Sequence, residues 1–130
     1  MRASGTFTVS MKPQTPSEEL AGGSLGRMLL DKQFEGGLVA VGKGEMLTAI
    51  TQIQGSAGYV AIEHVTGTLH GQQGSFVFQH SGTMTRGAQQ LAITVVPDSG
   101  TEALTGITGQ FTLSIVDSQH FYEFEYSLPQ

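Results

Sequence analysis

An all-β chain that closes into an eight-stranded antiparallel up-and-down barrel is expected from three features of this sequence. Glycine supplies 18 of its 130 residues, about twice the usual share of roughly 7 %, and no G-X-Y period is present that would signal collagen. Threonine is frequent too, and glycine for turns with threonine on strand surfaces is an all-β pattern. Short apolar alternations recur along the chain with no long helical period between them, which excludes parallel βαβ units.

Eight runs carry the alternation. The first, Ala3–Met11, puts Phe7, Val9 and Met11 on one face and Thr6, Thr8 and Ser10 on the other. An irregular stretch follows, where Thr15, Pro16 and Glu18 have the chemistry of N-cap, N1 and N3 for one helical turn that Gly22 and Gly23 end. Runs two and three, Arg27–Glu35 and Leu38–Thr51, hinge at Gly36-Gly37. Their facing does not resolve, because either register leaves charges among Asp31, Lys32, Lys43 and Glu45 on both sides. Gly42 and Gly44 flanking Lys43 read as a strand interruption or bulge. Runs four, five and six are Tyr59–His70, Ser75–Arg86 and Gln90–Pro97. The Gly-rich stretch SGTEALTGITGQ comes next. Thr101–Leu104 is expected to make one turn, and Gly106 and Gly109 to bend the chain into run seven, Gln110–Asp117. A phosphate cradle would need a helix N-terminus after the glycines, and the alternating FTLSIV follows instead. Run eight is His120–Leu128.

Three hairpins have self-consistent registers. A type II′ loop at Gly87-Ala88 sets Met84 against Leu91, Gly82 against Ile93 and His80 against Val95. A turn centred on Gln72-Gln73 sets Leu69 against Phe76, Glu63 against Gly82, Ala61 against Met84 and Tyr59 against Arg86. A turn centred on Ser118-Gln119 pairs Ile115 with Tyr122, Leu113 with Phe124 and Phe111 with Tyr126. Each hairpin then has one apolar-aromatic face and one Thr-rich face. Eight such strands close into a barrel, which removes exposed edges and leaves an interior that is either filled or holds one small ligand.

Composition limits the partners. The net charge is −5 and the pI about 5.2, and six Lys and Arg residues form no basic stripe, so a nucleic-acid partner is not expected. No stretch approaches the roughly 20 apolar residues of a membrane-spanning helix. MRASGTFTVSM lacks the apolar core of a signal peptide. The absence of cysteine fits a reducing compartment, and with no signal peptide visible a cytoplasmic location is the expectation. Thiolate chemistry and Cys-ligated metals are excluded. The four histidines do not converge, so no metal site is expected. GGSLG, Gly22–Gly26, matches a nucleophile-elbow pattern, but a strand rather than a helix follows it.

Glu63 and His80 are the candidate catalytic residues. The register places both on the apolar face as diagonal neighbours, a spacing that long side chains bridge. A buried Glu–His pair suits acid–base chemistry near neutral pH, and it equally suits a polar pair that fixes register. Tyr59 and Arg86, at the end of the same face, are candidate ligand contacts, since the Arg fork suits carboxylates. Phe78, Met84, Tyr122, Phe124 and Tyr126 complete the candidate ligand-binding set, the last three forming an aromatic stripe that reads as core or as a flat ligand wall.

LDKQFEGGL, KGEMLTA, GSAGYVAIEHVTGTLHGQQGSFVFQHSGTM, VPDSGTEALTGITG and HFYEFEY together resemble a bacterial family of one-domain proteins of unknown function. That family is similar in fold to allene oxide cyclase, a calycin-like eight-stranded barrel related to the lipocalin-like and dirigent barrels. The likeness runs from Gly5 to Leu128. The cyclases use a cavity carboxylate from an early strand and have a cavity cysteine. Here Ala3–Met11 holds no acid and cysteine is absent, so cyclase chemistry does not transfer residue by residue. No cofactor is expected, and because the related plant enzymes are oligomers the resemblance implies a homo-oligomer. The Thr-rich exterior with Glu123 and Glu125 offers no apolar interface for one. Three readings stand: a barrel that binds a small apolar or amphipathic ligand, a cofactor-independent isomerase or cyclase using Glu63 and His80, and a scaffold with a filled interior.

Overall fold

Period-two alternation gives each strand one inward and one outward row, and the inward rows meet around a common axis. The computed structural model describes residues 1–15 and 25–129. Its strands are β1 (Arg2–Gln14), β2 (Leu25–Gly36), β3 (Leu38–Ile50), β4 (Ala57–Leu69), β5 (Gln72–Thr85), β6 (Ala88–Val95), β7 (Thr108–Val116) and β8 (Gln119–Ser127). Each pairs antiparallel with its sequence neighbour, and β1 pairs with β8 to close the barrel. The expected eight-stranded up-and-down barrel is what the chain forms. The helical turn expected at Pro16–Glu18 and most of the GGSLG motif lie outside the described residues.

The hairpin turns fall slightly earlier than the sequence suggested. Leu69 pairs with Gln72, Thr85 with Ala88, and Val116 with Gln119. The loops are therefore His70-Gly71, Arg86-Gly87 and Asp117-Ser118. All six of these residues have positive φ, from 47° at His70 to 91° at Gly87. Two consecutive positive φ values define type I′ turns, whose twist matches that of the strands. The II′ turn expected at Gly87-Ala88 is thus a I′ turn one residue earlier. Glu63 faces Phe78, not Gly82; Tyr59 faces Gly82, not Arg86; and His80 faces Ile93, not Val95. Every shift is even, so no side chain changes face.

β2 and β3 resolve the facing left open by the sequence. Asp31 lies opposite Lys43 and Lys32 opposite Gly42. Asp31 and Lys43 form an outward ion pair at 2.6 Å, and Arg27 pairs with Glu45 at 2.5 Å. Lys32 points inward. Gly42 and Gly44 sit in an uninterrupted strand rather than a bulge.

The two ends of the barrel differ. At one end Phe7, Phe34, Phe76, Phe78, Phe111, Tyr122, Phe124 and Tyr126 pack as a buried cluster. Phe111 stacks on Tyr122 at 5.3 Å between ring centroids, and Phe76 on Phe124 at 5.6 Å. The Gly-rich stretch seals this end. Its single 3₁₀ turn, Glu102–Leu104, lowers Leu104 into the core, and Ile107 follows. Thr101 and Ser99 side chains accept the backbone N–H groups of Ser75 and Val77. The stretch makes the single turn expected of it and, beyond that expectation, plugs this end of the barrel.

At the other end the wall is looser. Among the described residues β6 and β7 pair only at Ile93–Phe111 and Thr94–Gln110. Beyond that point Ala88–Ala92 and Ser114–Val116 are exposed on both faces. The outer wall also departs from the Thr-rich expectation. Leu47, Val60 and Ile62 form an exposed apolar strip across β3 and β4.

Candidate functional site

Among the described residues, a lysine, a glutamate and a histidine are buried in the barrel. Lys32, Glu63 and His80 are 7 %, 0 % and 4 % exposed, which in a barrel of this size is costly unless they satisfy one another. They do so through one atom. Glu63 Oε1 accepts from Lys32 Nζ at 3.2 Å and from His80 Nε2 at 2.9 Å. His80 Nδ1 lies 3.4 Å from the Tyr59 hydroxyl. The row runs Lys32–Glu63–His80–Tyr59.

The local sequence explains how the row assembles. Glu63 and His80 are diagonal neighbours on β4 and β5, because Glu63 faces Phe78 and Ala61 faces His80. Lys32 sits on β2, one strand beyond β3, so a side chain on β3 would ordinarily separate it from Glu63. Gly42 and Gly44 leave that space open. A Cβ built at Gly42 would overlap Glu63 Oε2. Gly82 serves Tyr59 the same way: a Cβ there would lie 2.5 Å from the Tyr59 ring. The Lys32 stem is held by Phe7, whose ring centroid lies 5.2 Å from Nζ, and by Phe34 at 6.0 Å, within reach of cation–π attraction.

The electrostatics follow from this packing. Burial pushes the Glu63 carboxyl up, but the His80 hydrogen bond and the Lys32 charge outweigh it, and the carboxyl lies below its ordinary range. Burial, aided by the Glu63 charge, pushes the Tyr59 hydroxyl up, so it keeps its proton. Glu63 Oε2 is buried without a hydrogen-bond partner.

Tyr59 is also the member of the row that lines the mouth of the barrel. The mouth at the looser end encloses about 390 Å³ between β2, β3, β4, β5 and β6, with Met28, Met46, Met84 and Tyr59 on its walls. Thr48, Gln89 and Gln90 line it as well. A wider depression of about 760 Å³ lies on the outer wall, over Leu47, Val60 and Ile62. Of the two, the mouth has the shape of a small-molecule pocket: it is concave, apolar and lined by Tyr59.

The comparisons with known proteins can be set against this geometry. A family profile described as "Protein of unknown function (DUF3224)" matches residues 3–126. The chain belongs to the DUF3224 family. It is also similar to a crystal structure of a DUF3224 protein of unknown function from Shewanella oneidensis MR-1. The two share 50 % identity and a TM-score of 0.96, over 100 % of this chain and 98 % of that one. No curated protein matches.

The sequence-derived site residues of this DUF3224 chain divide by location. Glu63 and His80 are in contact, and Tyr59 and Met84 line the mouth. Phe78, Tyr122, Phe124 and Tyr126 belong to the packed end. There Tyr122 is fully engaged with backbone: it accepts from Leu38 N–H at 2.9 Å and shares its proton between the carbonyls of Glu35 at 2.8 Å and Leu38 at 3.1 Å. Tyr126 bonds His70 Nδ1 at 2.5 Å. Arg86 is in the β5–β6 turn, exposed, and its backbone N–H donates to Ser56 Oγ, so it is not the partner of Tyr59. Lys32 and Gly42 were named from the sequence as a charge of unresolved facing and a strand interruption, not as site residues. The available signal was the glycine pair inside a strand, which marks close approach by another group as readily as it marks a bulge. Among the described residues no group of three or more His, Asp or Glu side chains has the spacing of a metal site, and no helix is long and apolar enough to cross a membrane.

Proposed function

We propose that this DUF3224 protein binds a small apolar or amphipathic molecule in the mouth of its barrel. The observation that carries the reading is the cavity of about 390 Å³ walled by Met28, Met46 and Met84. Its size lies in the range of small-molecule sites. Unbranched thioether side chains adapt to ligands of irregular shape. Tyr59 supplies the polar contact, and the Lys32–Glu63–His80 row holds it in place. The packed aromatic end forms the floor rather than part of the site. The cytoplasmic setting and the homo-oligomer expected from the sequence belong to the same proposal.

Native mass spectrometry of freshly purified protein tests it. One small molecule per chain, lost in Met46→Trp, is the expected result. Ligand-free spectra from several preparations, together with no uptake of apolar probes, would overturn it.

One observation favours a second reading, an acid–base isomerase or cyclase. The Glu63–His80 pair is linked through Tyr59 to a cavity, as proton transfer to a bound substrate requires. With Glu63 and His80 sealed, the group meeting the substrate in that reading is Tyr59. The cyclase resemblance expected from the sequence would be one of architecture alone and assigns no activity. Glu63→Gln separates the readings, since an enzyme loses turnover whereas a binder only changes affinity.

A further inference from the structure

We infer that the mouth selects ligands carrying a neutral hydrogen-bond donor, an apolar alcohol or phenol rather than a ketone or ether, because Tyr59 presents it with an acceptor. This rests on the binding role proposed above and names the chemical class of its ligand.

The polarity of Tyr59 follows from proton counting along the buried row. Glu63 is ionised and can only accept. His80 Nε2, 2.9 Å from Glu63 Oε1, therefore carries a hydrogen. Lys32 already balances the Glu63 charge at 3.2 Å, and one carboxylate does not neutralise two buried cations. Hydrogen-bond logic thus assigns His80 the neutral tautomer with Nε2–H, and Nδ1 is a bare acceptor. The group facing Nδ1 is the Tyr59 hydroxyl, at 3.4 Å. Its single proton points there. What the phenol oxygen has left is lone pairs, on a residue that lines the mouth.

The direction is fixed rather than free to adapt. A lone hydroxyl rotates to suit either a donor or an acceptor. Turning the Tyr59 proton toward the cavity would leave His80 Nδ1 unpaired in a buried setting, at the cost of an unsatisfied acceptor. Lys32, three residues along the row, therefore sets which ligands Tyr59 accepts without touching them. Lys32, Glu63 and His80 act as positioning residues, and Tyr59 is the contact.

Three probes of nearly equal shape test this: 2-naphthol, which donates and accepts; 2-methoxynaphthalene, which only accepts; and naphthalene, which does neither. Dissociation constants are measured for the purified protein by fluorescence or calorimetry. We expect 2-naphthol to bind about tenfold more tightly than 2-methoxynaphthalene, the factor expected for one hydrogen bond with a fixed partner. Tyr59→Phe keeps the ring over Gly82 and should bring the three probes to similar affinity. Met46→Trp, which fills the mouth, should abolish all three. Equal binding of the three probes to the unaltered protein, sensitive to Met46→Trp, would overturn the donor preference and leave the binding role standing. Tighter binding of 2-methoxynaphthalene would show the opposite polarity and overturn it as well. Failure of all three to bind would overturn the apolar mouth itself, and the donor preference with it.

Discussion

Gly42 and the Glu63 carboxylate are packed so closely that no side chain fits between them: a Cβ at Gly42 would overlap Oε2. The absence of one methyl group on β3 is what allows Lys32 on β2 to reach Glu63 on β4. Gly42→Ala should therefore displace the carboxylate and weaken the row from outside it. Overpacking of this kind costs about 1–3 kcal/mol. Urea unfolding checks the figure, and a variant as stable as the parent would mean that the carboxylate has room to move.

Lys32 donates to the buried Glu63 carboxylate at 3.2 Å. Lys32→Met should destabilise by about 3–5 kcal/mol, the usual effect of stranding one partner of a buried pair. Lys32→Met combined with Glu63→Leu should recover much of that loss, because no charge is then left unpaired. The coupling is read from a double-mutant cycle in denaturant.

The lowered Glu63 carboxyl makes stability depend on acid. A carboxyl that binds protons less readily in the folded protein than in the unfolded chain contributes stability above its ordinary value. That contribution is lost as pH falls through its lowered folded value. Stability should be level near neutrality in this respect and decline only in strong acid, with Glu63→Gln less stable at neutral pH and flatter on the acid side. Thermal unfolding across pH measures both.

The alkaline limb has the opposite origin. Burial raises the Tyr59, Tyr122 and Tyr126 hydroxyls. Their contribution is complete below the ordinary tyrosine value and is lost as pH rises through the raised folded values. Replacing all three by Phe should remove this part of the alkaline decline in unfolding temperature, even though Tyr122→Phe also loses its bonds to the β2–β3 backbone.

Phe121 and Phe124 occupy opposite faces of β8, the first 40 % exposed and the second fully buried. Phe124→Ala should cost about 3–5 kcal/mol. Phe121→Ala should stay within about 0.5 kcal/mol. Comparable losses at both sites would place something against the outer face of β8 in solution.

The architecture was legible because period-two alternation survives errors of register. Centring the β4–β5 turn on Gln72-Gln73 rather than His70-Gly71 moved Glu63 from Phe78 to Gly82, yet left it inward and diagonal to His80. The turns themselves were harder to place. Arg86 and Ser118 take positive φ, a conformation that glycine, asparagine and aspartate announce and these residues do not. Lys32 was hidden for another reason. Asp31, Lys32, Lys43 and Glu45 put charge on both rows of β2 and β3, and only the three-dimensional position of Glu63 two strands away decides which lysine is inside. Met28 and Met46 were missed with it, since the mouth is made by strands whose facing had not been resolved.

The parting of β6 from β7 makes this ring a clasp rather than a hoop. Seven of the eight seams run for six residue pairs or more, whereas this one is fastened at Ile93–Phe111 and Thr94–Gln110. Local opening takes the path that breaks fewest bonds. Amide hydrogens of Ala88–Ala92 and Ser114–Val116 should therefore exchange with solvent long before those of β4 and β5. A crosslink across the same seam should slow that exchange toward the rate of the other strands.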